Sequence, residues 1–201
     1  MNKELLIINQ HKSAKYTPRT AHNASSADLT LALAINLMTA GEIFTRKVAG
    51  DKYIGVELTQ DIDDIQIARQ LYKKLKELNA KKLNIAGNGI YTLAPNGCSQ
   101  DFINYFTYKI IAKVNQYWPI EKIYTGGQTG VDLAGAVTGY LLNIPTEVTL
   151  PLGYIQRFED KKDVEGTRDK VFDQIHNGAL IVMEKLEEEK IVKVSQNKLK
   201  A

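Results

Sequence analysis

The residues best suited to chemistry form one run, Thr125-Gly126-Gly127-Gln128-Thr129-Gly130-Val131-Asp132. It joins a strand-like segment, residues 120–124, to an apolar stretch, 133–137, that begins a helix at once. Paired glycines let the backbone turn sharply and approach a ligand with no Cβ in the way. The free N–H groups of the new helix then face the mouth of the turn, where the helix dipole favours negative charge. Gln128 and Thr129 add hydrogen-bonding groups suited to phosphate or sugar oxygens. In an open parallel sheet, ligands bind at the carboxyl ends of strands. Thr125, Gly126, Gly127, Gln128, Thr129, Gly130 and Asp132 are therefore candidate contacts for a nucleotide-type small molecule. For Asp132 three roles stay open: an acid complementing the helix dipole, a contact to a ribose hydroxyl, or a general base.

Outside that run the candidates are fewer. Gly87-Asn88-Gly89 closes another strand and is either a second backbone anion site or a plain turn. Arg157, in a long loop beside Glu159 and Asp160, is a candidate phosphate partner. Residues 10–28 hold Lys12, Lys15, Tyr16, Arg19, His22 and Asn23, a mixture that suits either a lid over the site or ordinary surface. Cys98 has no histidine nearby in sequence and reads as inert. One cysteine and three histidines without ligand spacing give no metal site. No cofactor is expected.

These groups need a scaffold, and the sequence patterning supplies one. Residues 5–9, 52–58, 83–86, 121–125, 145–150 and 179–183 read as strands. Helices are expected over 61–78, with Asp61, Asp63 and Asp64 at its positive end, from Ser99 towards Val114, over 130–142 and over 167–175. Residues 27–40 are rich in Ala and Leu and favour a helix, although Leu29, Leu31, Leu33, Ile35 and Leu37 alternate as a strand would. Such an alternating edge could pair with a second copy. The charged tail from Lys185 to Ala201 reads as frayed or as a solvated helix. Strands alternating with helices predict an α/β fold: a Rossmann-like, mostly parallel sheet with helices on both faces. Residues 81–201 are expected to form its core, with residues 1–80 an extension or subdomain packed on it.

The run Gly126-Gly127-Gln128-Thr129-Gly130-Val131-Asp132 after a strand resembles the motif of the SLOG superfamily, in its branch named for molybdenum carriage. Asn143-Ile144-Pro145-Thr146-Glu147 is similar to that branch's next strand. Pro151-Leu152-Gly153-Tyr154 and Arg157-Phe158-Glu159-Asp160 resemble its Pro-x-Gly and Arg-x-Glu-Asp loop. The likeness covers about residues 120–180, weakens over 83–119 and does not reach the first eighty. Where relatives carry Arg-Ala after the aspartate, this chain has Leu133-Ala134. The resemblance implies a Rossmann-like sheet that binds nucleotides or their derivatives, often as an oligomer. The superfamily also contains phosphoribohydrolases with a Pro-Gly-Gly-x-Gly-Thr-x-x-Glu motif. Aligned on the paired glycines, Leu133 falls on that glutamate and Asp132 just before it; with the loop counted one residue shorter, Asp132 takes the acid's place.

The bulk composition narrows the choice. Lys plus Arg number 26 and Asp plus Glu 23, too even a balance to argue for a nucleic acid polymer. No apolar run spans a bilayer, and the amino terminus lacks a signal-peptide pattern, so a soluble cytoplasmic protein is expected. The leading expectation is a homo-oligomeric protein that senses, carries or sequesters a signalling nucleotide. Its rivals are an N-glycosidic hydrolase with Asp132 as catalytic acid–base, and a structural protein that keeps the turn only for its fold.

Overall fold

A computed structural model describes residues 1–59 and 62–198, with side chains through residue 192. In chain order the elements are β1 (Leu6–Gln10), α1 (Tyr16–Ser26), β2 (Leu29–Ala34), α2 (Ala40–Ala49), β3 (Tyr53–Glu57), α3 (Asp64–Glu77) and β4 (Lys82–Gly87). There follow α4 (Ile90–Leu93), α5 (Gln100–Asn115), β5 (Lys122–Thr125), α6 (Val131–Leu142), β6 (Thr146–Leu150), the small pair β7 (Gln156–Arg157) and β8 (Asp163–Val164), and α7 (Arg168–Lys198). Strands β1 to β6 form one sheet in the order β1-β6-β5-β4-β2-β3, parallel throughout. The expected α/β Rossmann-like architecture is present. Among the described residues, no helix is long and apolar enough to cross a membrane.

Right-handed crossovers decide where the helices go. From β1 to β2 and β2 to β3 the chain moves one way across the sheet; from β3 through β4 and β5 to β6 it moves back. Reversing direction puts the crossover helices on the opposite face. Accordingly α1 packs with α2, whereas α3, α5, α6 and α7 pack in succession against one another. Leu29, Leu31 and Leu33 of β2 meet Leu71 and Leu75 of α3 in one fully buried cluster. Leu6 and Ile8 of β1 join Val137, Val171 and Ile175 in another.

Residues 16–26, 29–34 and 179–183 differ from the sequence expectation, and α2 (Ala40–Ala49) forms where no element is expected. Residues 29–34 are strand β2, not helix, and all six are buried. Ala and Leu favour helices locally, but a strand covered on both faces also reads as one apolar run. β4 and β3 flank β2 on its two sides, so its alternation offers no edge to a second copy. Residues 16–26, expected as loop, form α1, with Pro18 tolerated in its first turn. The helix escapes a search for apolar periodicity because its buried residues, Arg19, Asn23 and Ala24, are mostly polar. Residues 179–183 are not a strand, because α7 continues unbroken from 168 to 198. Val171, Ile175, Ala179 and Val182 form its buried stripe at helical spacing. Gly178 lies where a Cβ would press on Asn104 of α5 and Val137 of α6. It marks close helix packing rather than a break.

The helix signals elsewhere hold. Asp63 caps α3 by accepting from the Ile65 N–H, and Ser99 caps α5 by accepting from that of Phe102. Asp61, and residues 199–201 of the tail, lie outside the described residues.

Because residues 1–80 contribute β1, β2 and β3 to the common sheet, β4 depends on β2 to cover its edge. A fragment of residues 81–201 is expected to show no cooperative urea transition by circular dichroism. A sharp transition would mean that this half folds alone.

Candidate functional site

The chain leaves β2 in one direction and β4 in the other, so the loops after these neighbouring strands part and leave a crevice at their carboxyl ends. A cleft of about 310 Å³ occupies that place. Tyr16 and Arg19 of α1 form one side and the amino end of α2 another. The Gly87-Asn88-Gly89 turn, Asp132 and Arg157 complete it. Its size is at the low end for small-molecule sites.

Of the residues singled out from the sequence, Gly87, Asn88, Gln128, Asp132 and Arg157 line the cleft; Thr125, Gly126, Gly127, Thr129 and Gly130 are absent from its lining. Asn88 ties the two diverging loops together, because its Oδ1 accepts from the N–H groups of Ile35 (2.9 Å) and Asn36 (3.2 Å). A Cβ on Gly87 would overlap the Leu33 carbonyl. The five others build the wall behind. The Thr125 hydroxyl donates to the Asp132 carbonyl at 2.6 Å, fastening β5 to the first turn of α6. Gly126 has no room for a side chain, because the Arg19 and Asp132 side chains rest on it. Gly127 and Gly130 adopt positive φ, +66° and +100°.

The turn's hydrogen-bonding groups largely face the protein itself. The Gly130 N–H donates to Gln100 Oε1 at 2.6 Å, and the Val131 N–H to the Asn88 carbonyl at 3.2 Å. The Gln128 N–H is directed to the Asp132 carboxylate. Gln128 Oε1 accepts from the Arg157 N–H at 3.0 Å, and the Thr129 hydroxyl donates to the Arg157 carbonyl. The turn thus anchors the loop that carries Arg157.

Four charges define the electrostatics. Arg19 Nη1 and Asp132 Oδ2 pair at 2.5 Å, with both side chains at least nine-tenths buried. Burial pushes the Asp132 carboxyl above its ordinary value, while Arg19 and the Gln128 N–H pull the other way. Arg157 at the cleft mouth is bidentate to Asp163, at 2.8 and 2.9 Å. Its guanidinium also lies over the rings of Tyr16 and Tyr91, 5.4 and 5.6 Å from their centres. The Tyr16 hydroxyl donates to Asp163 at 2.7 Å, linking α1 to the β7–β8 hairpin. Both arginines therefore have carboxylate partners.

Glu42 has the opposite character. It is 4% exposed, it lines the cleft, and its Oε2 is buried without a partner. Burial and then the nearby Asp132 raise its pKa from 4.5 to about 7. The sequence signal that bears on it is Thr39-x-x-Glu42, the pattern of a capping box. Thr39 does cap α2, accepting from the Glu42 N–H at 3.4 Å. Tyr91 and Asp163 belong to no motif at all. Of the early basic and aromatic residues, Tyr16 and Arg19 reach the cleft, whereas Lys12, Lys15 and His22 are outside its lining. Burial raises the Cys98 thiol, which leaves it unactivated. Among the described residues, no group of three or more His, Cys, Asp and Glu is placed to hold a metal ion.

Fold and cleft together define an α/β protein whose crevice opens where neighbouring crossovers diverge. No family model matches the chain, and no curated protein matches it.

Glu42 ties stability to pH. With its pKa raised, the folded state keeps a proton that the unfolded chain releases, so stability is full below pH 4.5 and falls as the pH rises through about 7. The loss amounts to about 3 kcal/mol. In urea unfolding, Glu42→Gln is expected to match the wild type near pH 4 and to exceed it by up to about 3 kcal/mol at pH 8. An unchanged difference between the two pH values would show that Glu42 is not the source.

Proposed function

We propose that the protein binds a nucleotide or nucleotide-derived signalling molecule in this cleft, and so senses, carries or sequesters it. The observation that carries this reading is Arg157, held against Tyr16 and Tyr91 at the mouth of a cleft at the strand carboxyl ends. Aromatic faces suit a base, and stacking contributes about 1–3 kcal/mol per base. A guanidinium fork suits a phosphate. Arg157 can change partners cheaply, because its pair with Asp163 is partly exposed and such pairs contribute only about 0–1 kcal/mol. Arg19 cannot, since breaking a buried pair costs about 3–5 kcal/mol. The phosphate therefore belongs at Arg157, and Arg19 stays on Asp132.

The presence of Glu42 and Asp132 in one cleft supports a second reading, hydrolysis of a nucleotide's N-glycosidic bond. Asp132 is committed to Arg19 and to the Gln128 N–H, which makes binding the better-supported function.

Incubation with mononucleotides, ADP-ribose, its cyclic isomers and cyclic oligonucleotides, followed by mass spectrometry, tests both. Recovery of one compound intact on denaturing the protein is the expected result; release of free base would establish the hydrolase. For the compound recovered, Arg157→Ala is expected to weaken binding about tenfold or more, and Asp163→Asn to strengthen it. Unchanged affinity in Arg157→Ala would remove Arg157 as the anchor.

A further inference from the structure

We infer that Glu42 accepts hydrogen bonds from the hydroxyl pair of the ligand's ribose, so that the cleft selects ribonucleotides over deoxyribonucleotides. The inference rests on the nucleotide reading and extends it to a sugar preference.

A buried carboxyl oxygen without a hydrogen-bond partner is rare in a folded protein, and here it belongs to a side chain that lines an open cleft. The groups around Glu42 decide what could satisfy it. Asp132 of α6 acts on it electrostatically, and in the same lining is Arg19 of α1, whose Nη1 Asp132 holds and whose Nε is also buried without a partner. Tyr53 of β3 and Arg46, one turn further along α2, are further ionisable groups nearby. Ionised phosphate offers only acceptors, whereas the unpartnered Glu42 oxygen needs a donor, so a phosphate does not belong at this end. On the proposed reading the phosphate takes Arg157, and a base takes the Tyr16 or Tyr91 ring that the guanidinium now covers. What remains for Glu42 is the sugar, whose vicinal hydroxyls can both donate to one carboxylate. An acidic side chain gripping ribose hydroxyls is an established solution in α/β nucleotide sites.

The arrangement has a protonic consequence. Burial raises the Glu42 pKa to about 7, so at pH 6.5 the unliganded side chain has a proton to give up. Hydroxyl donors favour its ionised form, so ribose binding expels the proton. A phosphate or any other acceptor placed there would instead draw a proton in.

The test is calorimetric titration of the full chain with the four ribonucleoside 5′-monophosphates and their 2′-deoxy counterparts. Wild type and Glu42→Gln are compared at pH 6.5 in two buffers of different ionisation enthalpy. The expected result is ribonucleotide binding about tenfold or more tighter than deoxyribonucleotide binding, with proton release. In Glu42→Gln the preference is expected to fall to about twofold and the proton release to vanish, with the fold intact by circular dichroism. Proton uptake, equal binding of both sugars by the wild type, or a preference undiminished in Glu42→Gln would each overturn the inference. If none of the monophosphates binds but another compound of the wider panel does, that compound is compared with its 2′-deoxy form, and equal affinity overturns the sugar inference while the nucleotide reading stands. If nothing binds in either set, both fall.

Discussion

The buried ion pair between Arg19 and Asp132 is the interaction on which the site depends. It joins the first helix of the chain to the first turn of α6, across 113 residues of sequence, and it rests directly on Gly126. Any side chain at 126 would displace it. Without the pair, α1 would present a buried guanidinium to an uncompensated environment, and Asp132 would be a lone carboxylate inside the protein. Such pairs contribute little net stability when intact, yet are costly to break. They fix geometry more than they lower energy. Here the geometry fixed is the position of α1 over the carboxyl ends of the sheet, which makes one wall of the cleft and delivers Tyr16 to its mouth.

From that constraint follows the cleft's unusual polarity. Two arginines in a small cleft would ordinarily signal strong attraction for anions, but each has a carboxylate partner. The two pairs are not equivalent. Arg19 and Asp132 are both at least nine-tenths buried, so breaking their pair costs far more. Arg157 is about a third exposed, and its partner Asp163 is more exposed still, so solvent screens the pair and a ligand can compete for it. Glu42, an acid with an unpartnered buried oxygen, is part of the same lining. The cleft thus pairs a displaceable arginine with a buried acceptor oxygen that has no partner.

Much of the scaffold is legible from sequence. β5, the glycine turn and α6 announce themselves through an apolar run, a cluster of glycines and an acid in the first turn, and Ser99 and Asp63 cap their helices as their positions suggest. Single-segment patterns fail where tertiary contact reverses them. β2 has helix-forming residues but is enclosed on both faces by other elements. α1 buries a polar face, which hydrophobic periodicity cannot register. In α7 the apolar run after Gly178 imitates a new strand, yet that glycine only lets the helix pack closely against α5 and α6. The site is half visible for the same reason. Gly87, Asn88, Gln128, Asp132 and Arg157 can be found because they belong to turns and a loop with recognisable chemistry. Glu42 is hidden behind an ordinary capping pattern, and nothing local distinguishes Tyr91 or Asp163 from surface residues.

The glycine motif acquires a different meaning once its contacts are known. Its N–H groups at Gln128, Gly130 and Val131 are bonded within the protein, and its side chains at Gln128 and Thr129 hold the loop of Arg157. The turn organises the site at one remove: it seats Asp132, receives Arg19 and aims Arg157. The groups that would touch a ligand and discriminate between ligands come largely from elsewhere, and Tyr16, Arg19 and Glu42 all lie in the first eighty residues. The resemblance carried by residues 120–180 does not extend to that region. Tyr16, Arg19 and Glu42 thus line the cleft from α1 and α2, outside the run of residues that forms the glycine turn.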